Sequence, residues 1–184
     1  ANFSKTQSPI WLNKNDVPVG ISGIRYNGDN DYFTGTDKNQ LLSLDKTTIM
    51  AWVQPFSAAP ACINESGNNS ISDWSLGTEN GSLYFRINGK TIYSTTLLQI
   101  GEWNHVAATY DKSTQKANLF VNGIKNGPFT ASYVRNNLQA FSIGFSKSQG
   151  NPYSGKITEI SYHDEIRSDS YISKAPKNIV EQTK

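Results

Sequence analysis

GEWNHVAATYDKSTQKANLFVNGIKNG, residues Gly101 to Gly127, decides how this chain is read. Val106, Ala108 and Tyr110 alternate with His105, Ala107 and Thr109, a period of two that places each set on one face of a β-sheet. In the second arm Leu119 and Val121 share the inward face, while Asn118, Phe120 and Asn122 point away. Asp111, Lys112, Ser113 and Thr114 supply polar turn chemistry between the arms. Asn122-Gly123 forces a further reversal, because both residues tolerate the positive φ of a primed turn. The stretch is a long β-hairpin that contributes Trp103, Val106, Tyr110, Leu119 and Val121 to a core.

Strand signals continue on both sides. In Thr47–Pro55, Ile49, Ala51 and Val53 face one way and Met50 and Trp52 the other, so both faces are apolar and the strand is central. Upstream, Pro9 to Leu12 reads as an edge strand, since proline cannot donate to a ladder. Gly20 to Tyr26 and Tyr32 to Thr34 read as strands joined by the polar corner Asn27 to Asp31. Leu41, Leu42 and Leu44 give at most one helical turn. Downstream, Trp74 to Gly77, Ser82 to Asn88 and Thr91 to Thr95 are separated by Asn80-Gly81 and Asn88-Gly89 turns. Ala140 to Phe145 and Lys156 to Tyr162 flank a loop, Ser146 to Gly155, and Ser168 caps a last helical turn ending near Lys174. Ser57 to Asp73 has no repeating pattern and is read as a long loop, the best loop for touching a partner. Short strands at intervals of about 8 to 12 residues mean an all-β, two-sheet antiparallel sandwich. The expectation is one domain over 1–184, with a core from about 9 to 173 and tails or linkers at 1–8 and 174–184.

Composition narrows the function. Only 17% of residues are charged and the formal net charge is +2, without basic runs, which disfavours nucleic acid as a partner. Cys62 is the only cysteine, so no internal disulfide forms. A surface vocabulary of Asn, Ser, Thr and Gly suits an extracellular or cell-surface protein. No apolar run approaches the roughly 18 to 20 residues of a membrane span, so membrane insertion is not expected. Ala1 has neither a methionine nor a signal-type region before it, and the chain reads as a mature or excised piece.

A tryptophan two residues before His-Val-Ala, a Tyr-Asp turn and a strand closing in Val-Asn-Gly resemble the central hairpin of laminin-G-like jelly rolls of the concanavalin A-like lectin and glucanase superfamily. GIRYNGDNDYF (Gly23–Phe33) with TTIMAWVQP (Thr47–Pro55) resembles that family's opening strands, and GKITEISYHDEIRSDSYI (Gly155–Ile172) its closing strand. The resemblance implies a jelly-roll sandwich and specifies function weakly. It implies structural roles for Trp52, Trp74, Trp103, Tyr110 and His105. It also implies a comparison with the laminarinase-type Glu-x-Asp-x-x-Glu pair, which this sequence lacks. Glu159 is followed only by Asp164 and Glu165, the first five positions away and on the opposite strand face.

Calcium is the one candidate cofactor. Asn27, Asp29 and Asp31 offer several oxygens in one corner, and relatives hold a structural calcium between this corner and an acid of the closing strand, here Glu159. The chain departs from that pattern at both ends, with Tyr26-Asn27-Gly28 for Phe-Asp-Gly and Ile157-Thr158-Glu159-Ile160 for Ile-Asp-Glu-Val. Ligand binding points to Tyr84, Arg86 and Asn88, outward on one strand: a flat ring beside hydrogen-bonding groups is what sugars require. Asn64 in the long loop and Asn151 with Tyr153 in the later one complete the set. The expectation is a non-enzymatic carbohydrate-recognition module binding host or matrix glycans, part of a larger adhesin, pilus-tip protein or secreted enzyme. The alternatives are a protein-binding module using Ser57 to Asp73, and a glycoside hydrolase or lyase.

Overall fold

The computed structural model describes residues 4–6, 9–18, 22–29, 31–37, 42–68, 70–135 and 140–176. In chain order the strands are β1 (Ser4–Thr6), β2 (Ile10–Leu12), β3 (Gly23–Asn27), β4 (Tyr32–Thr36), β5 (Lys46–Pro55), β6 (Ala61–Gly67), β7 (Ser72–Glu79) and β8 (Ser82–Ile87). They continue with β9 (Lys90–Leu97), β10 (Asn104–Asp111), β11 (Lys116–Val121), β12 (Ile124–Thr130), β13 (Ala140–Ile143), β14 (Phe145–Ser146), β15 (Asn151–Pro152) and β16 (Ser154–His163), followed by helix α1 (Asp169–Lys174). The first sheet has the order β1-β4-β13-β6-β7-β8-β9, the second β12-β11-β10-β5-β16-β3-β2, and β14 pairs with β15 in a small ribbon. Every pairing is antiparallel, and the two large sheets make a jelly-roll sandwich.

β5 occupies the middle of the second sheet, as its two apolar faces require. Register sets Val106 opposite Ala51 and Val121, and Ala108 opposite Ile49 and Leu119. These residues face the inter-sheet core, where they meet Ile63, Trp74, Leu76, Leu83, Phe85 and Ile87 of the first sheet. The Asn-Gly pairs at 80–81, 88–89 and 122–123 all adopt positive φ at both residues, which matches the right-handed twist of the strands they join.

The second sheet's outer face is closed. Ile172 of α1 packs on Met50, Ala107 and Phe120. Ser168 caps the helix by accepting from Tyr171 N at 3.2 Å, and Ser173 Oγ donates to Gly123 O at 2.8 Å. Thr48 Oγ1 donates to Glu165 O at 2.7 Å and accepts from Arg167 N at 2.9 Å, which draws the segment before the helix onto the sheet.

The structure corrects several expectations. Most of Ser57 to Asp73 is not a loop: Ala61–Gly67 is β6, entirely buried in the first sheet. A bulge between Cys62 and Asn64 and a register shift between Ser66 and Gly67 break the alternation that would have revealed it. Phe120 does point away from the inter-sheet core but is fully buried beneath α1, and Trp103 is only half-buried. Ser4–Thr6 pairs with β4 rather than trailing as a tail, and residues 42–45 form no helical turn. Leu41, Val19 to Ile21 and residues 177–184 lie outside the described residues.

Candidate functional site

On the first sheet, residues that alternate with the core positions form its outer face. Pairing lines up Glu65, Ser75, Arg86 and Thr91 across β6, β7, β8 and β9, and beside them Cys62, Gly77, Tyr84 and Tyr93. Gly77 lets the Tyr84 ring lie flat, since a Cβ there would come within 2.5 Å of that ring's Cζ and hydroxyl. The Arg86 guanidinium covers the ring from the other side, its Cζ 5.7 Å from the centroid, and Tyr93 meets it edge-on at 6.4 Å. Tyr84 thus has the expected strand face but is only 2% exposed, so it supports the surface rather than forming it. Burial foremost, with Cys62 beside it, holds its phenol well above the usual range. Tyr93 is the ring open to solvent, 41% exposed, and its phenol donates to the Glu79 carboxylate.

Next to this row lies a polar groove of about 420 Å³ lined by Ser70, Ile71, Ser72, Arg86, Asn88, Gly89, Ser148 and Gln149. Arg86 Nε donates to Thr91 Oγ1 at 2.7 Å, which fixes the plane of the guanidinium. Asn88 Nδ2 donates to Val134 O at 2.8 Å. One edge of the groove is shaped by Asn68, whose Oδ1 accepts from Ser70 N and Ile71 N, both at 2.9 Å. The other edge hangs on Glu65, a carboxylate with no exposed surface. Its Oε2 accepts from Lys147 N at 2.6 Å, and its Oε1 from Ser146 Oγ at 3.2 Å and from Ser148 Oγ. Buried charge is tolerated there because those donors satisfy it. Asn151 Nδ2 donates to Gln149 Oε1 at 3.4 Å and stands behind the groove wall.

Of the six ligand-binding candidates, the structure brings Arg86 and Asn88 into the groove, with Asn151 behind it and Tyr84 beneath it. Asn64 is buried and donates to Ser142 O at 2.7 Å, tying β6 to β13. Tyr153 is buried between the sheets, edge-on to Tyr26 at 6.1 Å. Tyr93 escaped the sequence reading although Ile92-Tyr93-Ser94 alternates visibly. Glu65, Ser148 and Gln149 offered no local signal. Cys62 lies in β6 rather than in a loop, and burial first, then Glu65, pushes its thiol well above the usual range, which suppresses the nucleophilic thiolate.

The candidate calcium ligands divide. Asn27 Oδ1 accepts from Asp29 N at 2.8 Å, and buried Asp31 accepts from Asn27 N through Oδ2 at 3.2 Å, so these side chains brace their own corner. Asn27 pairs with Ser154, which puts Glu159 five residues farther along β16, about 16 Å away at roughly 3.3 Å per residue. Glu159 instead lines an apolar cleft of about 430 Å³ with Trp11, Ile24, Phe33 and Ile143. Among the described residues no group of three His, Cys, Asp or Glu side chains could hold one ion.

His105 lies on the closed face of the second sheet, edge-on to Trp52 at 5.2 Å, and burial lowers its pKa to about 4. His163 Nδ1 faces Arg167 Nη2 at 3.0 Å; burial and then that cation lower its pKa.

A family model described as the concanavalin A-like lectin/glucanases superfamily matches residues 27–173. No curated protein matches the chain. Among solved structures, the CBM40 of the Ruminococcus gnavus IT-sialidase bound to α2,3-sialyllactose superposes with a TM-score of 0.69 at 17% identity, over 91% of this chain and 98% of that one. A heptameric SAP-like pentraxin from Limulus polyphemus gives 0.63 at 14% identity, over 84% and 81%. The receptor binding domain of botulinum neurotoxin C/D mosaic serotype gives 0.71 at 14% identity, over 96% of this chain but only 46% of that one. At such identities the likeness is one of fold.

Proposed function

Because the chain belongs to the concanavalin A-like lectin/glucanase superfamily, we propose that it is a carbohydrate-recognition module without catalysis, binding host or matrix glycans through the outer face of its first sheet. The observation that carries this reading is the groove: guanidinium, amide and hydroxyl groups converge on about 420 Å³. The open ring of Tyr93 stands two residues along β9 from Thr91, the partner of Arg86, and supplies the flat apolar surface on which a sugar stacks. A sialyllactose-bound relative in fold agrees with this ligand class.

The enzyme alternative needs two carboxylates roughly 5 to 9.5 Å apart facing one substrate. Among the described residues no carboxylate lines the groove. The acids on the strands beside it, Glu65 and Asp73, are about 8 Å apart by strand geometry, but both are buried and neither lines the groove. The protein-binding alternative loses the middle of its segment, since Ala61–Gly67 is the buried strand β6.

In this reading the module works outside the cell, within a larger adhesin, pilus-tip protein or secreted enzyme. Among the described residues no helix is long and apolar enough to cross a membrane. Calcium enters only as a weak structural ion at the Asn27 to Asp31 corner, with no part for Glu159. The test is a glycan array read with the wild-type protein and with Tyr93→Ala plus Gln149→Ala. Binding that falls at least about tenfold in the double variant supports the site. Unchanged binding would place recognition elsewhere, and an array without hits would reject the glycan reading.

A further inference from the structure

We infer that the groove selects acidic glycans, receiving a carboxylate or sulfate group on Arg86; this rests on the carbohydrate reading above. Among the described residues Arg86 is the only ionisable one lining the groove. Its guanidinium is held in place by Tyr84 beneath it and by the Nε bond to Thr91 Oγ1, so little freedom remains to be lost on binding. The two terminal nitrogens bond to no described residue, and Arg86 takes part in none of the ion pairs among the described residues. A fixed guanidinium with both outer nitrogens uncommitted is a fork for a planar anion or two oxygens of a tetrahedral one.

The surrounding charges favour the same ligand. Lys147 precedes the lining residue Ser148 in sequence. The acids on the neighbouring strands, Glu65 and Asp73, are buried and line none of the groove. Glu65 lies two strands from Arg86, about 10 Å away at roughly 4.8 Å per strand, and its oxygens are already occupied by Ser146, Lys147 N and Ser148. It therefore does not pair with Arg86, and its charge is held behind the groove wall by those donors. Ser148, whose hydroxyl donates its hydrogen bond to Glu65, offers its oxygen as an acceptor for a sugar hydroxyl, while Ser70 and Asn88 complete a polar surround.

The experiment is calorimetric titration of the intact chain with three oligosaccharides that share one neutral backbone, the first unsubstituted, the second carrying a carboxylate and the third a sulfate. The acidic forms should bind at least about tenfold more tightly than the neutral one, with the preference shrinking between 50 and 500 mM salt. Arg86→Gln should bring the ratio of acidic to neutral affinity to about one, and Arg86→Lys, which keeps charge without the fork, should leave an intermediate ratio. Melting curves establish that both variants are folded, and Arg86→Lys serves alone if the glutamine variant is not. Equal affinity for neutral and acidic forms would overturn the charge preference and leave the glycan reading standing. An acidic preference that survives in both variants would remove Arg86 from the role. Binding of none of the three would overturn both.

Discussion

On the outer face of the second sheet, Met50, Ala107 and Phe120 lie under Ile172 of α1, whereas the outer face of the first sheet carries Glu65, Ser75, Arg86 and Thr91 beside a polar groove. Both faces come from strands of period two, so alternation alone does not separate them. The difference lies in the residue types at the outward positions. Where these are apolar the chain must cover them, and it does so with its last helix. Where they are polar the face is part closed and part open: Glu65 and Ser75 are buried, while Arg86, Thr91 and Tyr93 keep exposed surface that can meet a ligand.

The comparison breaks most visibly if the helical cover is removed. Phe120→Ala should destabilise the protein by about 3 to 5 kcal/mol, because the ring is fully buried and α1 cannot collapse onto the void without losing the Ser173–Gly123 bond. Arg86→Gln on the open face should stay within about 1 kcal/mol. Urea unfolding measures both. A Phe120 variant costing under about 1 kcal/mol would mean that the helix does not hold that face closed.

The second expected effect is a pH dependence that belongs to the closed face alone. His105 is buried against Trp52, and its pKa of about 4 lies below the 6.5 of an unfolded histidine. Between those values the unfolded chain binds the proton and the folded chain does not, so stability falls as pH falls through this window and is fully present above it. His105 should contribute a loss of about 2 kcal/mol between pH 7.5 and 5, and His105→Gln should remove that part, leaving only the contribution of His163, whose pKa is also lowered. Acid sensitivity undiminished in the glutamine variant would assign the titration to another group.

Much of this arrangement was legible in the sequence, and the failures have physical causes. The Gly101 to Gly127 hairpin, the central Thr47 to Pro55 strand, the Asn-Gly turns and the Ser168 cap are local rules, set by side-chain alternation and by the φ values that few residues tolerate. β6 was hidden because its bulge destroys the alternation on which strand recognition depends. Parity gave Tyr84 its correct face but not its burial, which comes from Arg86 on its own strand and Tyr93 on the next. Arg86 and Asn88 were readable as outward polar residues. Their companions Ser148 and Gln149 were not, since the bond that positions their loop joins Lys147 to Glu65 across 82 residues.

The smallest expected effect concerns the corner from Asn27 to Asp31, where the chain passes from β3 of the second sheet to β4 of the first. With Glu159 some 16 Å away, a calcium there would rest on few oxygens, already braced by the Asn27–Asp29 and Asn27–Asp31 bonds. An affinity of about 10 mM, weaker than the 0.1 to 1 mM of extracellular calcium modules, is the magnitude such a site allows. At about 10 mM calcium the native state then gains roughly 0.4 kcal/mol, and melting should rise by only about 1 °C over a chelator control. A rise above about 4 °C would show a complete calcium site at the corner, and the passage between closed and open sheets would then be fixed by the ion as well as by its own hydrogen bonds.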